Sequence, residues 1–551
     1  MRLLAAAAMA LITTASSAQS PTLTPTQIAR IDWAFAPYNA QDVPGCALGV
    51  SRHDTVVLER AWGSANLETG TPITPATIFE AGSVSKQFTA GAILRLVQQG
   101  KLSLDDDIRK YLPEIPKYDA PITIRHMMNH TSGLRDWGTV MTIAGWPRGT
   151  RTYTQAHVLD IMSRQKALNY PVGTEYLYSN SNYNLLAMIV ERVSGKTLAE
   201  LTKAEFFEPL GMTSSGWRDD YTRIVRGRAQ AYGGSGKNWR LVMPFENVYG
   251  NSSLLTTVGD LLKWDANLEH KKVGGDQFVA MQQERGKLKN GKVIRYAGGM
   301  FINEFQGLTE VTHDGATAGY RAFLARYPEV GYAVALLCNA GNADPVALGH
   351  LVATVVLPEY KPPAPPARDT IGMSLSAEAL SPIVGYYRAV TSDDPVHFIV
   401  RDGKLINAAP NVRLVAVSQN HFVTVSGRSH VMFLPAASRI AARSWTVDGD
   451  TLEFVRVEAP LAETSYGDYL GTFYSEEADA TLSVVNDDKG LVLFMKPSSR
   501  TPLTPIYRDG FSALGSYMKF TRDKSGKVDG FLVTSGRVRN LRFDKKPVRI
   551  Q

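Results

Sequence analysis

The segment KPPAPPARDT at 361–370 is a proline-rich connector and the clearest domain boundary in the chain. Pro362, Pro363, Pro365 and Pro366 lack backbone donors and hold an extended course, so neither a helix nor a central strand can run through them. Upstream, two kinds of periodicity alternate. "GCALGVSRHDTVVLERAWG" (45–63) reads as two strands around a tight turn, and helical spacing dominates from Ser83 to about Leu268. "GYRAFLARYPEVGYAVALLCNAG" (319–341) returns to strands with a hairpin at Pro328 and Gly331, and "DPVALGHLVATVVL" (344–357) closes the half as a helix. Downstream, short alternating strands repeat. "VGYYRAV" at 384 is answered by "LGTFYSE" at 470, and "DGKLINA" at 402 by "KGLVLFM" at 489. Phe433 and Phe454 are answered by Phe520 and Phe543. Two all-β units of about 85 residues each fit small antiparallel, lipocalin-like barrels.

At 551 residues the chain exceeds a single core, since domains run to roughly 150 residues. The expected division is a leader at 1–18, a mixed α/β (α+β) domain at 19–360, a linker at 361–372, and barrels at 373–462 and 463–551. The leader has Arg2, an apolar run from Leu3 to Ile12, and small residues at Ser16 and Ala18, the pattern of a secretion signal cut after Ala18. Its apolar run is too short to span a bilayer, so the expected product is periplasmic or secreted, with no stable membrane insertion. A composition of 44 % hydrophobic and 20 % charged residues is that of a globular protein. The net charge of +7 reads as a mildly basic solvated surface, because no basic run is interleaved with aromatics as nucleic-acid binding requires. Two cysteines, Cys46 and Cys338, are too few for a zinc site or a disulfide scaffold, and no cofactor is expected.

One short stretch carries chemistry. In "FEAGSVSKQFTAGAILRLVQQG" (79–100), Ser83 and Lys86 stand three apart where an apolar helix begins, so they share one face of its first turn. A desolvated lysine loses proton affinity and can accept the serine proton, which makes a nucleophile. The same pair also suits a capping serine beside a solvent-reaching lysine. Three further stretches bear on the choice. "PVGTEYLYSNSNYNLLAMIVERVSG" (171–195) places Tyr178, Ser179 and Asn180 at the mouth of another helix, and "THDGATAGYRA" (312–322) places His313 and Gly315 at the start of a strand. "RHMMNHTSGL" (125–134) is a polar turn whose His126 and His130 have metal-like spacing but no matching carboxylates, so they read as structural.

Taken in order, Ser83–Val84–Ser85–Lys86, Tyr178–Ser179–Asn180 and His313–Asp314–Gly315 resemble the three motifs of class C β-lactamase-like serine hydrolases, a group that includes penicillin-binding proteins, D-aminopeptidases and esterases. "NHTSGL", "FFEPLGM" (206–212) and "TTVGDLLKW" (256–264) extend the resemblance over residues 25 to 357. It implies an antiparallel sheet flanked by a helical lobe, followed by two barrels as in D-aminopeptidases. It also implies Ser83 as nucleophile and Lys86 or Tyr178 as base, with Tyr178 feeding the leaving group and Asn180 orienting Lys86 or substrate. The oxyanion would bind the N–H groups of Ser83 and Ala316, with Gly315 giving room for the substrate backbone. His313 stands where the family often has lysine, which weakens a substrate-carboxylate clamp and favours aminopeptidase or esterase relatives.

The expected activity is therefore amide or ester hydrolysis of a small molecule or short peptide, foremost as a D-stereospecific or small-peptide aminopeptidase. Its rivals are a short-chain carboxylesterase or β-lactamase-like enzyme, and a penicillin-binding sensor or wall-binding protein that does not turn over. The resemblance also sets the first strand beside the last strand of the domain, which could bring Cys46 near Cys338. The favoured expectation is two buried, unpaired thiols. Glu476, Glu477 and Asp479 read by default as a solvated strand end; alternatively, their loop closes over the catalytic mouth and holds a substrate ammonium.

Overall fold

The computed structural model describes residues 22–357 and 373–547, apart from breaks at 426–428, 436, 447–450, 462, 489, 496–498 and 514. The leader and the proline-rich connector lie outside the described residues.

The first half is built on six antiparallel strands: β1 (Cys46–Arg52), β2 (Thr55–Trp62), β3 (Phe301–Phe305), β4 (Leu308–Thr317), β5 (Tyr320–Tyr327) and β6 (Tyr332–Cys338). Their order, β3-β4-β5-β6-β1-β2, places the N-terminal hairpin against β6, so that residues 46–52 pair with residues 332–338. His53 and Asp54, both at positive φ (44° and 65°), make the two-residue turn between β1 and β2, a geometry whose twist suits a hairpin. Helices α1 (Pro25–Ala34) and α5 (Pro345–Val356) pack together on one face, while α4 (Val258–His270) covers β1 and β6 on the other. Burial on both faces is why "YAVALLC" runs apolar without alternation. The helical lobe centres on α2 (Lys86–Gln98) and α3 (Asn180–Ser194), which pack side by side.

Three expectations need correction. Cys46 and Cys338 form a disulfide: the β1–β6 register sets them directly opposite each other, with Cα atoms 4.0 Å apart. Ser83 is not yet in the helix, because Gly82–Ser85 is a tight 3₁₀ turn and α2 starts at Lys86. His313 and Gly315 lie towards the end of β4 rather than at a strand start, since β3 and the first half of β4 extend the sheet upstream of the motif.

Both C-terminal units are barrel-like. Eight strands between Gly385 and Val457 close on themselves. Nine strands between Gly471 and Lys545 form a sheet whose edge strands, Ser499–Pro502 and Thr504–Tyr507, are joined by Leu503 alone, so the sheet must curl until its edges meet at that end. Phe433, Phe454, Phe520 and Phe543 are buried, as the repeat predicts. The correspondence reaches the first turn of each unit, where Asp393 and Asp479 share a positive φ (56° and 47°).

The second unit docks on the helical lobe through polar contacts that are buried or partly buried. Arg135, 1 % exposed, meets Glu477 at 2.6 Å and donates to the carbonyls of Arg539 and Asn540. Asn169 brackets the final hairpin, donating to the Arg537 carbonyl at 3.0 Å and accepting from the Arg539 N–H at 2.7 Å. Arg539 in turn pairs with Glu175 at 2.8 Å.

Candidate active site

The site grows from a close approach of two backbones. Gly82, at φ 51°, opens the turn that carries Ser83, and a side chain there would come within 2.6 Å of the Ala316 nitrogen. A side chain at Gly315 would meet the Ala81 carbonyl at 2.1 Å. Only glycine at both positions lets the Ser83 turn lie against β4, which brings Ser83 and Ala316 to one cavity of about 420 Å³.

Lys86 is fully buried in the first turn of α2. Its Nζ lies 3.0 Å from Ser83 Oγ, 3.0 Å from Asn180 Oδ1 and 2.6 Å from the Asn251 carbonyl. The ring faces of Tyr178 and Tyr183 stand 4.8 and 5.6 Å from it. Burial, reinforced by the Arg537 charge, pushes the Lys86 ammonium well below the ordinary lysine value, so the neutral amine becomes accessible. Burial pushes the Tyr178 phenol the other way, well above its usual value, against the pull of the Ser83 hydroxyl and Arg537. The Tyr178 hydroxyl is buried and has no hydrogen-bond partner of normal geometry among the described residues.

His313 is buried beside Tyr178, with Nε2 3.2 Å from the Tyr296 hydroxyl. Burial and Lys86 push it down to about 3, so it is a neutral imidazole at physiological pH. Asn180 starts α3, where its N–H donates to Asp136 at 2.8 Å. The motif residues Ser83, Tyr178, Asn180, His313 and Ala316 therefore line one cavity, with Lys86 in its floor.

Other residues of the site gave no comparable signal in sequence. His130 packs against Tyr178, with ring centroids 4.3 Å apart, and its Nδ1 accepts from the Ser179 N–H; this is a structural role that the spacing argument anticipated only in kind. His126 completes the cap of its own short helix with Thr123. Asn251, Tyr176 and Arg148 line the cavity from separate loops. Asp314, directly after His313, lines it as well and is exposed. The acidic trio does not reach the mouth. Glu476 pairs with Lys166, Glu477 is spent on Arg135, and Asp479 accepts from Tyr474. A different loop of the same unit arrives instead, the two-residue turn Gly536–Arg537, and its contribution is a cation.

A serine beside a buried lysine and a tyrosine, at the edge of an antiparallel sheet, defines a serine hydrolase. The β-lactamase family profile matches residues 31–356, and the chain belongs to that family. It is 25 % identical over 530 residues to a D-aminopeptidase of Brucella anthropi, which covers 91 % of this chain and 95 % of the relative. It is 26 % identical over 322 residues to a D-aminopeptidase of Gluconobacter oxydans, spanning 60 % of that relative's length. Among solved structures, the octameric penicillin-binding protein homologue from Pyrococcus abyssi superposes with a TM-score of 0.54 at 23 % identity, covering 78 % of this chain and 98 % of its own. The D-amino acid amidase from Ochrobactrum anthropi SV3 gives 0.50 at 21 % identity, covering 60 % and 98 %.

Proposed function

We propose that this protein is an exported aminopeptidase-type hydrolase that cleaves the amide bond of small D-aminoacyl substrates through an acyl-Ser83 intermediate. The observation that carries the reading is the set of three contacts at Lys86 Nζ. A neutral amine has two hydrogens and one lone pair. The Asn180 and Asn251 carbonyl oxygens can only accept, so they take both hydrogens, and the lone pair is left for the Ser83 hydroxyl.

Ser83 Oγ attacks the substrate carbonyl while its proton passes to Nζ. The Ser83 and Ala316 N–H groups hold the oxyanion. Tyr178, protonated because its phenol is buried, donates to the leaving amine and recovers a proton by way of Lys86. Water then repeats the sequence on the acyl-enzyme, with Lys86 again as base. A cavity of about 420 Å³ suits a small substrate, and Asp314 on its wall offers a carboxylate to a free ammonium. The names of the relatives support D-aminoacyl specificity, and the Cys46–Cys338 disulfide supports an oxidising compartment.

The test is turnover of D- and L-alanyl 4-nitroanilide, 4-nitrophenyl acetate and nitrocefin. Faster release from the D-alanyl amide than from its L isomer is expected. Stoichiometric acylation without turnover would make the protein a sensor and sink the reading.

A further inference from the structure

The catalytic cavity holds two arginines, and among the described residues only one makes hydrogen bonds through its guanidinium. Arg148 is paired with Glu246 through two of its nitrogens, one of them at 3.0 Å. Arg537 sits at the tip of a two-residue hairpin turn with glycine at its first position, a rigid mount. Its carbonyl is pinned by the Asp136 N–H at 3.3 Å and by Asn169 at 3.0 Å, which fixes where the side chain starts. The guanidinium lies 4.6 Å from the Tyr178 ring centroid and is partly exposed. Its nearest carboxylate oxygen, on Asp136, is 3.9 Å away and already accepts the Asn180 N–H. No hydrogen bond to the Arg537 guanidinium is present among the described residues. Arg537 thus lines the cavity with a guanidinium that makes no hydrogen bond there, a group whose planar fork can bind a carboxylate bidentately.

The position says which part of a substrate would meet that guanidinium. Tyr178 feeds the leaving group, and Arg537 is stacked on that ring, so its charge lies on the leaving-group side of Ser83. We propose that Arg537 forms a carboxylate subsite there, so that preferred substrates are dipeptide-like, with a free carboxylate on the residue that departs. The proposal rests on acylation of Ser83 but not on a D-aminoacyl preference. It also restores, from another domain, the carboxylate clamp that a neutral His313 cannot supply.

Two substrate pairs differing only in that carboxylate test it in the full chain: D-alanylglycine against D-alanylglycinamide, and S-acetylthioglycolate against its methyl ester, the latter needing no ammonium. With intrinsic hydrolysis rates divided out, kcat/KM should favour the acid in each pair by about ten- to hundredfold, the range a charge-assisted pair supplies. Arg537→Gln should bring the ratio towards one, and Arg537→Lys should restore part of it. A ratio near one in the natural protein would overturn the proposal. So would an equal fall of both members in Arg537→Gln, which would assign Arg537 to tuning Tyr178. D-alanyl substrates left uncleaved while the thioester preference stands would sink the aminopeptidase reading and support the subsite. A readout without turnover is protection of Ser83 from a neutral fluorophosphonate by N-acetylglycine, which should exceed that by N-acetylglycinamide in the natural protein only; equal protection overturns the proposal.

Discussion

The two C-terminal units start from the same sequence pattern and use the same turn for different partners. In the first unit, Asp393 reaches Lys519 of the second at 3.0 Å while holding Arg388 at 2.6 Å. In the second unit, the corresponding turn presents Glu477 to Arg135 of the catalytic lobe at 2.6 Å. A buried carboxylate at one turn thus links first unit to second and second unit to lobe. The second also sends Arg537 into the catalytic cavity, whose lining among the described residues otherwise comes from the sheet and helical lobe of the first half. A repeat fixes an architecture, therefore, while a few loop residues decide what each copy touches.

The sharpest break would be to find chemistry outside the lobe. Ser83→Ala should lower kcat by up to about a million-fold with the thermal transition unchanged. Residual turnover near the natural rate, measured on any acyl substrate, would place the nucleophile elsewhere and undo the division of labour between lobe and units.

Next in size is a matched pair of variants at the two turns. Glu477→Ala leaves the buried Arg135 charge without its partner and should cost about 3–5 kcal/mol. It should also lower kcat/KM, because the hairpin bearing Arg537 shares that interface. Asp393→Asn should cost less, about 1–3 kcal/mol, because Lys519 and Arg388 keep some access to water, and it should leave kcat/KM as it was. Thermal unfolding and kinetics on both variants decide it; equal losses of activity would mean that the two units act on the site alike.

The first half of the chain is closed covalently, whereas docking of the units is not covalent. Replacing Cys46 and Cys338 together by serine should lower the unfolding temperature of that half, at a cost of about 2–4 kcal/mol, since the bridge closes a very long loop. Thiol titration of the denatured, unreduced protein should find none free. Two free thiols would return these residues to unpaired core positions.

The smallest effect links the second unit to the chemistry itself. With Lys86 as the neutral base of the proposed mechanism, kcat/KM should rise with pH through an acid limb well below the ordinary lysine value of 10.5. Arg537 pushes Lys86 in the same direction as burial does. Its removal in Arg537→Gln therefore raises the Lys86 pKa and moves the acid limb to higher pH. Because the guanidinium is 43 % exposed, water screens it, and burial remains the larger cause of the Lys86 shift. An unmoved acid limb would show that the Arg537 charge does not act on Lys86.

Much of this protein was legible in order along the chain, because the features concerned are local. The S-x-x-K spacing, the Tyr178–Asn180 helix mouth, the His313–Gly315 segment and the β1–β2 and β5–β6 hairpins each depend on residues near one another in sequence, and the 86-to-89-residue repeat is the recurrence of one such local pattern. The resemblance put the first strand beside the last, but the cysteine pairing itself follows from the exact β1–β6 register, set by apolar strands meeting across 292 residues, which no local pattern shows. The identity of the charge at the mouth was not legible either. Glu476, Glu477 and Asp479 looked available, yet Glu477 is consumed in docking, and the hairpin turn beside it at the same end of the sheet is the one that reaches the cavity. In "SGRV" (535–538) the glycine marks a tight hairpin tip, so exposure of Arg537 could be read, but not its destination. Local spacing sets which side chains can meet within a turn, whereas a charge held at a hairpin tip acquires a role only when tertiary packing desolvates its neighbours and leaves its own donors unspent.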